Sequence, residues 1–307
     1  MSWNNKYYTL TGSSGFVGRN LSNYLSSHTS FAVQTLKISQ QTFDGLLLKG
    51  EVIIHLAGKA HDVKKVSDPE EYYNVNYEQT KKLYSIFLLS NAKKFIFISS
   101  VKACADQVNN ILNESDPPDP KTHYGKSKLM AEEYILSQPL PEGKSFYILR
   151  PCMIHGPGNK GNLNLLYNLI SKGVPYPLAA FENKRSFLSI ENLCFVIREL
   201  LERDDILSGI YNVADDEALS TNEVISILAE SLIKKAIFWK VSKGLIKFIA
   251  KLGDVLRLPL TTERLQKLTE SYVVSNLKIK SAIGKDFPIS AKDGLLKTFQ
   301  SFKINQK

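Results

Sequence analysis

The sequence predicts an α/β protein built on a doubly wound parallel sheet, with a smaller α/β lobe toward its C-terminus. Three observations carry this. Short apolar runs alternate with longer helical patterns through the first half of the chain. The runs are almost continuously apolar, as strands covered on both faces must be. A glycine-rich turn leads from the first run straight into the first helical pattern.

Tyr7–Thr11 opens the pattern, and Phe31–Ile38, Val52–Leu56, Phe95–Ser99 and Phe146–Leu149 continue it. Helical stretches at Gly15–Ser27, Tyr72–Ser90 and Tyr124–Ser137 lie between these strands. Strand, helix, strand repeated in this way gives parallel pairing. Such a sheet binds ligands at the carboxyl ends of its strands, so the residues just past each strand matter most. Beyond Pro151 the texture changes. Gly156-Pro157-Gly158 marks a turn, Asn162–Ser171 reads as a helix, and a strand at Gly209–Val213 precedes a helix at Thr221–Leu232. No internal repeat, low-complexity tract or flexible linker is visible.

The chain of 307 residues carries 39 Lys+Arg against 30 Asp+Glu, a net charge of +9, and is 43% apolar. That is a folded composition and not a disordered one. Cys104, Cys152 and Cys194 are too widely spaced for a CxxC pair or a zinc pattern, so no disulfide framework and no metal site is expected. Reduced thiols suit a cytoplasmic protein. Met1–Lys6 is short and polar and leads directly into the first strand, leaving no apolar signal region. No run reaches the roughly 18 apolar residues of a spanning helix. Ile233–Leu260 comes nearest, and Lys and Arg interrupt it. The positive charge leaves three classes of partner open: nucleic acid, an anionic membrane, or a phosphorylated small molecule.

Thr11-Gly12-Ser13-Ser14-Gly15-Phe16-Val17-Gly18 joins the first strand to the first helix. Glycines at this spacing let the backbone approach a pyrophosphate, and the helix N-terminus supplies N–H groups and a positive dipole. The plain alternative is a glycine-rich turn without a ligand. Its place between first strand and first helix favours a dinucleotide, with Gly12, Ser14, Gly15, Phe16, Val17 and Gly18 as its contacts. Residues 1–155 then form a dinucleotide-binding domain, to which 176–206 return. Residues 156–175 and 207–307 form a substrate-binding lobe. A dinucleotide site needs a partner for the ribose some 20 residues on. Lys37 stands there, where a carboxylate would favour NAD; a cation suits a 2′-phosphate and leans toward NADP(H). The alternative is a lysine pointing into solvent.

Tyr124 and Lys128 are four apart and share a helix face. A tyrosine is a poor base at neutral pH, with an ordinary pKa of about 10. A nearby ammonium stabilises the phenolate and lowers that value. Such a pair exchanges a proton with a carbinol or carbonyl while a nicotinamide exchanges the hydride. The preceding strand ends in Ser99-Ser100, and a hydroxyl there can bond the reacting oxygen. Ser100 is the choice, with Ser99 as the alternative.

These residues together resemble the extended short-chain dehydrogenase/reductases, and within them the NAD(P)-dependent nucleotide-sugar epimerase/dehydratase group, over most of the chain. The resemblance implies a Rossmann domain and a catalytic set of Ser100, Tyr124 and Lys128. His55-Leu56-Ala57-Gly58 resembles the family's loop beside the cofactor, so Leu56, Ala57 and Gly58 are implied contacts. In Asn74-Val75-Asn76, Asn74 is the implied residue that fixes this loop to the catalytic strand. Arg150-Pro151 through Gly156-Pro157 resembles the segment beside the nicotinamide, with His155 in the usual Tyr place. Ser99 and Pro151 are implied cofactor contacts. Arg185 through Asn192 resembles the segment whose first residue meets the substrate diphosphate, and Asn162-Leu163 falls where the family holds the same diphosphate. Tyr211-Asn212-Val213 is similar to a late family strand.

The chain also departs from the family. Only a short stretch separates Ser39 from Val52, so a strand is expected to be missing there, and Asp44 is the one, poor, candidate for adenine. The 4,6-dehydratases place Asp-Glu after the catalytic Ser/Thr, whereas Val101-Lys102-Ala103 stands here. Dehydration is therefore disfavoured. A UDP-sugar 4-epimerase with retained NAD and a 4-ketoreductase with exchanging NADPH remain. Lys172 through Leu178 and Asn183 through Ser186 are most similar to C4 reductases of UDP-N-acetylquinovosamine-type synthesis, which serve surface polysaccharide. A homodimer is implied by the resemblance alone.

Rival readings are weaker. His123 and His61 read as polar neighbours and not as bases. Cys104 and Cys152 read as small packing residues. Ile237–Lys251 is apolar with interspersed lysines; the favoured reading is a helix that packs one face and solvates the other, with an anionic membrane surface as the rival. A non-catalytic NADP-binding regulator would have lost the Tyr-Lys pair. No nucleic-acid motif is present. Lys37, Lys128, Arg150 and Arg185 assign four of the cations to a small-molecule site.

Overall fold

The computed structural model describes residues 7–37, 50–59, 68–159, 161–256 and 260–304. Strand β1 (Tyr7–Thr11) leads through the glycine turn into α1 (Phe16–His28), and β2 (Ala32–Leu36) and β3 (Val52–His55) flank β1 on either side. Helix α2 (Pro69–Tyr72), a π-helical segment (Tyr73–Glu78) and α3 (Gln79–Leu89) follow without a break. Then come β4 (Lys94–Ile98), a 3₁₀ turn (Val101–Ala103), α4 (His123–Ser137), β5 (Ser145–Pro151) and β6 (Met153–His155). Helix α5 (Asn162–Ser171), β7 (Phe187–Ser189), α6 (Ile190–Glu202), β8 (Gly209–Val213) and α7 (Thr221–Ser231) lead into α8 (Lys243–Leu256), α9 (Thr262–Thr269), α10 (Leu277–Ile283) and α11 (Ala291–Ile304).

Among the described residues six parallel strands form the main sheet in the order β2-β1-β3-β4-β5-β8, and β6 pairs with β7 in a small second sheet. Strand side chains alternate between faces. Tyr8, Leu10, Ile54, Ile96, Tyr147 and Leu149 point to one side and pack against α1, α6 and α10. Ile53, Phe95, Phe97 and Ile148 point to the other and pack against α3 and α4. Both faces are buried, which is why these strands read as continuous apolar runs. A second core joins α5, α7, α8, α9 and α11 around Tyr167, Ile225, Leu228, Ala250, Leu265 and Phe299.

The structure departs from the expected boundary at 207 in two segments. Strand β8 lies beyond it, yet pairs with β5 from Tyr147↔Gly209 to Pro151↔Val213. Helix α10 buries Ile279 and Ile283 in the same core. Residues 209–213 and 277–283 therefore belong to the main sheet layer. The strand needed a parallel partner, and the exposed edge of β5 supplied it. Conversely, Tyr176, Leu178, Ala179 and Phe187 face the second core, although 176–206 were expected to return to the first domain. Positions 38–49, with Asp44, lie outside the described residues.

Candidate active site

The glycine turn is shaped for close approach. Gly12 has φ +71°, and a Cβ there would lie 2.6 Å from the backbone N of Ala57. A Cβ on Gly18 would lie 2.3 Å from the Gly12 carbonyl oxygen, so α1 is pressed onto the turn. Gly15 N–H donates to Gly12 O at 3.1 Å, and the Arg19 guanidinium donates to Ser14 O. Gly15 is the N-cap of α1, with no side-chain cap and no acidic residue in the first turn. The first N–H groups and positive end of α1 thus suit an anion. Phe16 and Val17 pack their side chains on the core while Ser14 and Gly15 stay exposed. Lys37 follows β2 and is exposed. Arg19 was not singled out from sequence, although a cation following the last glycine was a readable signal.

A buried polar chain holds the loop after β3. Ala57 N–H donates to Thr11 Oγ1 at 3.2 Å, and Leu56 N–H donates to Thr11 O at 3.3 Å. His55 meets Thr11 Oγ1 at 2.7 Å through Nδ1 and Thr80 Oγ1 at 2.9 Å through Nε2. Thr80 donates its own proton to Asn76 O. The network therefore assigns the His55 proton to Nε2. Burial first, and the Lys128 charge second, hold the imidazole down to a pKa of about 3, so it is neutral.

Asn76, and not Asn74, fixes this loop. Lys59 N–H donates to Asn76 Oδ1 at 2.8 Å, and Asn76 Nδ2 donates to Lys59 O and Ser127 Oγ at 3.1 Å each. Asn76 is fully buried, whereas Asn74 is exposed. The spacing explains the correction. Tyr72, Asn76, Thr80, Leu83 and Phe87 form one buried helical stripe, and Asn74 falls off it. The π-helical segment donates Gln79 N–H to Asn74 O, so the Asn74 backbone, and not its side chain, joins the helical ladder.

The two serines after β4 point to opposite sides. Ser99 donates to Glu132, which also accepts from Arg150 Nε at 3.0 Å and Nη2 at 2.5 Å. All three are buried. Arg150 was expected near the nicotinamide; the structure places it in this internal ion pair instead. Ser100 accepts from Lys102 N–H at 3.2 Å and hydrogen-bonds Tyr124. Gly125 makes that meeting possible, because a Cβ there would lie 2.4 Å from Lys102 O. Thr122 caps α4 by accepting from Gly125 N–H at 3.2 Å, and Asp106 accepts from Thr122 in turn. Lys128 is buried, donates to Ile98 O at 2.9 Å and lies 4.7 Å from the Phe97 ring centroid. A Cβ on Gly58 would sit 3.1 Å from the Lys128 Nζ, so this position too is a cradle.

The protonation states differ from expectation. Burial pushes the Tyr124 phenol up, against the lowering hydrogen bond from Ser100. Burial pulls Lys128 down from 10.5 to about 8, against the raising charge of Glu132. The pair was expected to lower the phenol. Lys128 is not among the groups that shift the phenol; burial is the largest cause, because desolvation penalises the phenolate.

Two further cations, Lys102 and Arg185, lie close enough to influence each other, with Glu270 beside both. Arg185 donates to Glu270 at 3.3 Å, and burial lowers its pKa. Lys102 donates to Asp106 O at 2.7 Å, lies 4.2 Å from the Tyr272 ring centroid and feels Glu270, Arg185 and Lys267. From sequence Lys102 was read only as a break in the dehydratase pattern. Leu163 buries its side chain in the second core; the Asn162 side chain lies outside the described residues, as does His61. Pro151 ends β5 against Val213. His155 is buried and meets Thr298 Oγ1 at 2.9 Å. His123 is exposed and meets the Tyr73 hydroxyl. All three cysteines are free and buried, and burial raises each thiol. The glycine cradle, the open α1 terminus and Gly58 over Lys128 fit a dinucleotide.

A profile of the NAD dependent epimerase/dehydratase family matches residues 8–214. The chain is 30% identical to the UDP-glucose 4-epimerase of Vibrio cholerae, over 97% of this chain and 95% of that protein. It is 25% identical to the GDP-6-deoxy-D-mannose reductase of Pseudomonas aeruginosa, over 72% and 78%. Its fold matches the structure of RMD from Pseudomonas aeruginosa complexed with NADPH, with TM-score 0.74 and 21% identity, covering 97% of this chain and all of that one. With the family profile matching residues 8–214 and a 30% identical relative aligned over 97% of the chain, the chain belongs to the NAD dependent epimerase/dehydratase family.

Proposed function

We propose that this enzyme reduces the 4-keto group of a UDP-linked hexosamine, with NADPH as its exchanging cofactor. One observation carries the direction. Tyr124 is hydrogen-bonded to Ser100 and raised by burial, so at neutral pH it holds its proton. A protonated phenol is a proton donor, which reduction of a carbonyl requires. When bound, a nicotinamide supplies the hydride. Tyr124 Oη gives its proton to O4, converting the carbonyl to a carbinol, and Ser100 orients that oxygen. The Lys128 ammonium stabilises the phenolate left behind, which solvent reprotonates. Gly12, Gly15, Gly18, Leu56, Ala57 and Gly58 would hold the dinucleotide, with exposed Lys37 meeting its 2′-phosphate. Lys102 and Arg185 suit the substrate diphosphate.

The homologous reductase supports this reading, and the homologous epimerase supports its rival, a 4-epimerase that retains NAD. The same reading expects a homodimer and a cytoplasmic location. Among the described residues no helix is long and apolar enough to cross a membrane. The purified protein should arrive without bound nicotinamide and oxidise NADPH with a UDP-4-keto-6-deoxy-N-acetylhexosamine. Tightly retained NAD, with interconversion of C4 epimers, would replace this reading by the epimerase.

A further inference from the structure

We infer that α8 and the segment leading into it form a docking surface for an anionic phospholipid membrane. The helix has three sectors. Ile246, Ala250 and Gly253 face inward, and Gly253 packs so closely on the Leu260 carbonyl that no Cβ fits. Lys243, Lys247 and Lys251 form a second, exposed row at four-residue spacing. The third sector is apolar and open: Leu245, Phe248, Leu252, Val255 and Leu256 point outward, with Phe248 58% and Val255 78% exposed. The expected helix with a solvated polar face is therefore only half present.

A solvated helix keeps polar residues on its outer face. A contiguous apolar stripe on the surface marks an interaction site. In the segment that leads into α8, Trp239 is 57% exposed, and Lys234, Lys235 and Lys240 of the same segment are exposed. The single acid of α8, Asp254, is tied to Thr262 by two hydrogen bonds. The surface thus combines an apolar stripe, an aromatic residue suited to a polar–apolar boundary, and several exposed lysines against one acid. Charge complementarity selects the occupant. A second copy would bring lysine rows toward each other, which disfavours self-association. Anionic headgroups oppose the lysines, while the acyl boundary accepts the stripe.

The test is co-sedimentation of the full chain with vesicles of phosphatidylcholine alone or mixed equally with phosphatidylglycerol, at about 0.1 M and about 0.5 M salt. Binding should require phosphatidylglycerol and fall several-fold at high salt. Phe248→Glu, Val255→Glu and the Lys247→Glu/Lys251→Glu pair should each lose most of it, with unchanged thermal melting. In a Trp3→Phe background, Trp239 emission should shift to the blue on the mixed vesicles. Equal sedimentation with and without the anionic lipid, or full binding by Val255→Glu, would overturn the inference. So would a change from dimer to monomer on Val255→Glu with no vesicle binding by the parent chain.

Discussion

The polar groups at the carboxyl end of the sheet divide by face, and the two sets behave differently. Toward α3 and α4, Thr11, His55, Thr80, Asn76, Ser99, Glu132 and Arg150 are buried and bonded to one another. Toward the proposed site, Tyr124, Lys102 and Arg185 are only partly buried, and Ser100 stands beside them at 8% exposure. One pleat separates Ser99 from Ser100, and it separates scaffold from chemistry. A polar group already bonded inside the protein holds the site in place. A polar group left facing the cleft is one that a ligand completes.

The largest effect should come from the cleft. Tyr124→Phe should lower kcat about 10²- to 10⁴-fold, the usual size for a lost proton donor. Its unfolding free energy should stay close to that of the parent, since the ring remains. Near-normal turnover on a verified substrate would end the assignment of Tyr124.

The scaffold should show the reverse. Glu132→Ala leaves the buried Arg150 guanidinium without its partner, which typically costs about 3–5 kcal/mol. Denaturant unfolding measures this. A loss below roughly 1 kcal/mol, within the range of an exposed pair, would show that the ion pair is not the strut the geometry describes.

These two sets were not equally legible from sequence. The strands, the glycine turn and the Tyr124–Lys128 pair announce themselves by periodicity and spacing, because backbone geometry dictates them. Partner choice inside the core does not show in a linear pattern. Arg150 pairs with Glu132 because β5 and α4 meet in three dimensions, and no spacing of 18 residues signals that. Lys102 appears in the cleft only because Tyr272 and Glu270 fold back beside it from the far end of the chain. Edge strand β8 was found as a strand but given to the wrong layer, since a strand's partner is a tertiary choice. The choice of asparagine was readable from the Tyr72–Asn76–Thr80 stripe, and the matched pair tests it. Asn76→Ala should cost about 1–3 kcal/mol by leaving the Lys59 amide and carbonyl without partners, while Asn74→Ala should fall within about 0.5 kcal/mol of the parent.

The smallest effect is a matter of pH, and its sign separates chemistry from folding. Lys128 titrates at about 8 in the folded protein against an ordinary 10.5. On the proposed mechanism Lys128 supplies the ammonium that stabilises the phenolate; above pH 8 that ammonium is lost, so kcat should fall as pH rises, about tenfold per unit once past 8. Folding responds the other way. Between about 8 and 10.5 the unfolded chain binds the Lys128 proton and the folded chain does not, so this group's contribution to stability increases with pH. A falling kcat at constant or rising melting temperature across that window is therefore the signature of Lys128 acting in the cleft. Lys128→Arg keeps its charge throughout the window and should flatten the decline. A parallel decline in Lys128→Arg would assign the pH dependence to another group.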